Sequence, residues 1–227
     1  MKTTLFRHVA VALAAPLAVA LGSCSSTSNL EEGETLYTGL KEIAYAQPPA
    51  DSALSARMVS DHYASVREEV EAALACAPNG ALLGSSYYRT PFQFRLWIYN
   101  HYANSTTKFG RWMRNSFGHE PVLMSAVNPE VRALVARNVL RSNGFFDARV
   151  DYEVVGQRNP RKSKLLYKVT PNRLYVLDTV RYVGYSPGAD SLIAATRAAS
   201  RLSAGRPFTV SGLDAERTRL SDLFRNS

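Results

Sequence analysis

Apolar and polar positions along the chain follow two periods, one near two residues and one near 3.6. Residues 35–45, TLYTGLKEIAY, mix β-forming and polar residues and predict a strand. After the break QPPAD at 47–51, apolar residues recur in steps of three and four: Val59, Tyr63, Val66, Val70, Ala73 or Leu74, and Ala77. That spacing predicts an amphipathic helix over 57–77, with Arg67, Glu68, Glu69 and Glu71 mostly on its wet side. APNG at 77–80 ends it.

The block from 128 to 170 is the most fully specified. Asn128 is placed to cap a helix whose first position is Pro129, and Val131, Leu134, Val135 and Val139 form its expected buried stripe. Asn143-Gly144 is a helix stop. Phe146, Ala148, Val150, Tyr152 and Val154 then alternate with Asp147, Arg149, Asp151 and Glu153, as in a half-buried antiparallel strand. GQRNPRK at 156–162 turns the chain and SKLLYKVT at 163–170 returns it. The pattern restarts with a strand over 173–184, a helix over 189–205 ended by Gly205, and a helix over 211–227. The last opens with Ser211 and Asp214 spaced as a capping box, and its apolar positions are Leu213, Leu220, Leu223 and Phe224. One strand–helices–strand–strand unit is followed by the first half of a second. A helix with no strands after it lacks a sheet to cover, so the chain is expected to continue beyond Ser227.

Between them, residues 91–120 concentrate Phe92, Phe94, Trp97, Tyr102, Phe109 and Trp112, interleaved with arginine and lysine. The ordinary expectation is two short helices that bury these rings in a core. The other is a membrane-interface or partner surface centred on Trp97, Arg111, Trp112 and Arg114. A nucleic-acid platform uses a similar mixture, but an exported protein does not meet nucleic acid routinely.

Export is written at the N-terminus. Lys2 and Arg7 precede an unbroken apolar run from Val9 to Leu21. The run is shorter than the ~20 residues a spanning helix needs and fits the apolar region of a secretory signal. Leu21-Gly22-Ser23-Cys24 resembles a bacterial lipobox. That resemblance implies processing to leave Cys24 first and acylated, since two or more chains make a stable anchor. The serine-rich residues that follow read as a tether, and Ser25 after the cysteine favours the outer membrane. If Cys24 carries lipid, Cys76 has no partner in the chain and reads as a buried, inert thiol in the helix AALACA.

The remaining composition adds little. The chain's formal charge is +8; a basic balance in an exported protein fits anionic lipid or an acidic partner. His62, His101 and His119 lack metal-ligand spacing, and no paired CxxC, nucleophile elbow, P-loop or dinucleotide fingerprint occurs. REEVE and DAERTR read as solvated helix faces. The expectation is a non-enzymatic protein with no cofactor.

A β-α-α-β-β unit, exported and repeated, resembles the POTRA domains that precede outer-membrane β-barrels of the BamA/TamA assembly superfamily. The lipobox followed by LYTGLKEI, then LWIYNHY, EPVLMSAVNPEVRALVARNVLRSNGFF and YKVTPNRLYVLDTVRY, is similar to its lipoprotein (TamL-type) branch. The resemblance implies an α+β fold of tandem POTRA domains, with extra helices inserted in the first. It divides the chain into a signal peptide (1–23), a lipidated tether (24–34), a first POTRA domain (35–171) and an incomplete second (172–227). The barrel that completes such proteins is absent from this chain. Implied partners are the outer membrane through lipid on Cys24, unfolded outer-membrane clients and a TamB-like inner-membrane protein. A lipoprotein adaptor without a barrel is the alternative.

Overall fold

In the computed structural model, residues 26–51 and 54–226 are described; Cys24 and the apolar run before it lie outside them. The fold is α+β. Its elements are β1 (Leu36–Tyr45), α1 (Ala56–Leu74), α2 (Phe94–His101), α3 (Lys108–Phe117), α4 (Met124–Val127), α5 (Pro129–Ser142), β2 (Arg149–Gly156), β3 (Lys162–Thr170), α6 (Pro187–Ala195) and α7 (Val210–Arg225). The strands form one sheet in the order β1-β3-β2. Leu36 N donates to Arg161 O at one end of β1, and Ala46 N to Val169 O at the other, so β1 runs parallel to β3. β2 and β3 form the antiparallel hairpin expected from the sequence, closed by Gln157 N to Lys162 O. Two compact units result: one from residues up to 43, 75–130 and 152–167, the other from 44–74, 131–151 and 168–227.

In the first unit β1 is covered on both faces, with Leu36 through Leu40 all buried. Its outer edge is also occupied. Tyr37 N donates to Val122 O, Leu36 bridges Leu123, and Leu40 N donates to Ser86 O. The last bond departs from strand alternation, and Gly39 makes it possible. Its φ of +109° turns the chain outward, and a Cβ there would stand 2.6 Å from Ser86 O. Asn79, itself buried, holds the covering segment: its Oδ1 accepts from Val122 N and its amide donates to Glu120 O, each at 2.7 Å.

In the second unit α1 buries Val59, Tyr63, Val66, Val70 and Leu74, the stripe read from the sequence. Tyr63 meets Phe145 edge-on at 5.5 Å, and His62 Nε2 lies 2.8 Å from Asn143 O. Each large side chain so buried contributes about 1.5–3 kcal/mol. Gly144 ends α5 with φ +88°, as the helix stop requires.

Several expectations are corrected. α5 buries Ala133, Ala136 and Leu140, while Val131, Leu134 and Val135 face outward. Val131, Val135 and Val139 recur in steps of four and Ala133, Ala136 and Leu140 in steps of three and four; the two alanines and Leu140 form the packed face. Asn128 does not take the extended conformation of an N-cap but a left-handed one, closing α4. β2 begins at Arg149 rather than Phe146 and, at the sheet's edge, leaves Tyr152 and Val154 exposed. Residues 173–184 form no strand. Their only paired stretch, 175–177, meets 205–208, where Pro207 has no N–H to give. The expected helix over 189–205 breaks after Ala195 into the 3₁₀ turn Arg197–Ala199, with the Thr196 hydroxyl bonded back to Leu192 O at the junction. Thr209, not Ser211, caps α7, accepting from Gly212 N. Cys76 lies past the end of α1 and is only half-buried.

Candidate interaction surfaces

Two surfaces stand out. The first is β2. With β1's outer edge covered by residues 122–123 and Ser86, β2 is the sheet edge left open among the described residues. Both its faces are largely exposed, and Arg149, Asp151 and Glu153 place charge along it. Alternating charge on an edge discourages indiscriminate pairing without removing the capacity to pair.

The second is built by α2 and α3. Leu96 and Ile98 anchor α2 in the core, at about 1% exposure each. Thr107 caps α3 by accepting from Gly110 N. Between these anchors the rings form a continuous ladder. Phe94 stacks on Trp97 at 6.0 Å, Trp97 on His101 at 5.1 Å, and His101 meets Tyr102 edge-on. Tyr102 then meets Phe109, Phe109 meets Trp112, and Trp112 meets Phe117 at 5.5 Å. The rings are therefore not core side chains, as the ordinary expectation had it. Phe94 is 56% exposed, Phe109 61% and Trp112 53%.

Of the residues singled out from sequence, Trp97 and Trp112 both belong to the ladder. Arg111 is exposed on α3. Arg114 is half-buried and is spent locally: its Nη1 donates to Ala103 O at 3.0 Å, tying α3 to the loop after α2. Cys24 lies outside the described residues. Phe92 packs against Phe94 at 6.3 Å, and beside it a cavity of about 470 Å³ opens between Asn79, Gln93, Phe94, His119 and Val122. His119 Nδ1 there lies 2.9 Å from Glu120 O and 3.2 Å from the Asn79 amide. These contacts serve the loop rather than a reacting group. No cluster of three or more His, Cys, Asp or Glu that could hold a metal occurs among the described residues.

Sequence reasoning missed two features. Leu82 and Leu83 project from the loop before α2, and Leu83 is fully exposed with φ +51°. Two leucines at the tip of a serine- and tyrosine-rich loop were the available signal. Glu216, read as part of a solvated face, is buried in the second unit. It accepts from Tyr182 Oη and Arg201 N, each at 2.7 Å, and from Arg219 at 2.6 Å. Burial alone would raise its carboxyl; these hydrogen bonds outweigh it and hold the group at about 2.

No helix among the described residues is long and apolar enough to cross a membrane. Comparison with family models, with curated proteins and with solved structures returns no match.

Proposed function

We propose that this chain is the POTRA-like, lipid-anchored portion of an outer-membrane protein assembly factor of the BamA/TamA kind, working in the periplasm. It binds unfolded, strand-forming clients by adding them to its sheet. The observation that carries this reading is the asymmetry of the sheet's two edges. β1 is closed by backbone hydrogen bonds to residues 122 and 86, whereas among the described residues β2 is not so covered. An extended client pairs with an open edge through main-chain hydrogen bonds, so recognition follows β-character more than side-chain identity. That suits a handler of many clients, and no single side chain then forms the site. The exported N-terminus and the strand–helices–strand–strand order support the same reading. A TamB-like inner-membrane partner belongs to the proposal as an implied neighbour.

The test is site-specific photocrosslinking in cells from Tyr152 on β2, with Lys41 on β1 as control. Nascent outer-membrane proteins crosslinking to Tyr152 and not to Lys41 is the expected outcome. Equal capture at both positions, or none at either, refutes strand addition at β2.

A further inference from the structure

The ring ladder plays no part in strand addition, and its exposure needs an occupant. We propose that α2, α3 and the Leu82–Leu83 loop form a docking face for an anionic lipid bilayer, the same bilayer that receives the chain's N-terminal anchor. This does not depend on the assembly-factor reading.

Three independent observations lead to the bilayer. The first is charge. The chain carries 19 acidic residues, yet none lies between Glu71 and Glu120. The charged side chains of that stretch are Arg89, Arg95, Lys108, Arg111 and Arg114. A protein partner that met mixed charge would be matched by mixed charge. A basic, aromatic surface with Arg95, Lys108 and Arg111 exposed on it matches a plane of anionic headgroups, where amphipathic rings settle at the interface and cations reach the phosphates.

The second is the loop tip. Leu83 stands in a left-handed backbone conformation that leucine rarely adopts, with its side chain fully in water. Strain and apolar exposure are both unfavourable there, and the surrounding loop maintains both. Ala81 and Arg89 form a bridge, and Ser85 Oγ accepts from the N–H groups of Tyr87 and Tyr88, each at 3.1 Å. Ser86 fixes the loop to β1. A rigid scaffold that presents an apolar tip is suited to entering an apolar medium without reordering.

The third is where the N-terminal segment arrives. Asn29 Nδ2 donates to Asn100 O in α2 at 2.9 Å, and Arg161 Nη2 donates to Leu30 O at 2.7 Å. The segment read as a tether is thus fixed to the first unit, beside the ladder. Asn29 is eight residues from Leu21, the end of the apolar run. At ~3.3–3.6 Å per residue those eight span no more than ~30 Å. An anchor at the end of the apolar run or on Cys24 would therefore lie within that distance of Asn29, which is bonded to α2. One attachment raises the effective concentration of the second, so modest affinity in the ladder suffices to orient the unit on the surface.

The full chain is bound to vesicles of phosphatidylcholine with and without phosphatidylglycerol, and its emission is followed with brominated lipids as quenchers. Its two tryptophans are Trp97 and Trp112, so the signal reports the ladder and not the anchor. Expected on anionic vesicles are a blue shift and quenching, both weakened by salt. Quenching falls several-fold in the double variant Leu83→Ser, Phe109→Ser and in Arg111→Glu, with unchanged circular dichroism. The proposal is overturned if the chain binds vesicles while its emission and quenching stay as in buffer. It is equally overturned if the blue shift tracks protein concentration without lipid, which marks a second copy as the occupant, or if the variants quench like the parent.

Discussion

Gly144 shows how much a single residue can carry. Its φ of +88° is open to glycine, and a Cβ at that position would lie 2.8 Å from Phe208 O and 3.0 Å from Tyr175 O. Its own carbonyl accepts from Tyr175 N at 2.9 Å. Gly144→Ala is expected to cost about 1–3 kcal/mol, through strain and the displaced backbone, measured as a lower urea midpoint with unchanged slope. Glu216 acts in the same unit by a different means. Its folded-state pKa of about 2 lies below the ordinary 4.5. The group therefore contributes stability fully above about pH 4.5, and loses that contribution as pH falls through about 2. Glu216→Gln is expected to remove this part of the acid transition. It also leaves the Arg219 guanidinium without its carboxylate, at a cost of about 2–4 kcal/mol near neutrality. A parent and variant whose stabilities fall in parallel between pH 5 and 2 would contradict the assignment.

Among the elements, the segment that covers β1 invites the most direct test. Asn79→Ala removes the acceptor of Val122 N and a donor to Glu120 O, and is expected to cost about 2–3 kcal/mol. Because Tyr37 N donates to Val122 O, its amide should exchange faster with solvent in the variant, while amides of β3 keep their protection. Unchanged exchange at Tyr37 would mean the cover holds without Asn79. The same elements show what a sequence can and cannot convey. α1 was legible because it has one apolar stripe, from Val59 to Leu74. α5 was not, because Ala133, Ala136 and Leu140 repeat as regularly as Val131, Val135 and Val139, and periodicity does not say which stripe has neighbours. The β2–β3 hairpin was legible from alternation and the turn at 156–162. Residues 173–184 are rich in β-forming side chains as well, but a strand needs a partner, which composition does not supply. At the ladder, composition identified Trp97 and Trp112; that Trp97 is only half-buried and Trp112 exposed depends on Leu96 and Ile98 taking the inner face of α2 and on how α3 packs. The buried Glu216 depends on tertiary placement that no local pattern encodes.

For the molecule as a whole, acidic and basic residues are unevenly shared out. The formal charge of +8 includes a stretch between Glu71 and Glu120 that supplies only positive charge. The acids fall outside it, and some of them line the open strand. The two candidate surfaces thus differ in kind: one is aromatic and basic, the other a charged edge of backbone. The Asn79–Val122 hydrogen bond, 2.7 Å long, has a further consequence. It joins the two ends of everything between them, so residues 79–122 form a cassette with a single point of entry and exit. The closure entropy of such an excursion grows only with the logarithm of its length, so its outer loops can lengthen, shorten or be exchanged wholesale without moving the strands. The second end of that cassette is also β1's cover. Excising it would therefore do more than delete a face for lipid: it would give the sheet a second sticky side, and a monomer with two such sides can polymerise.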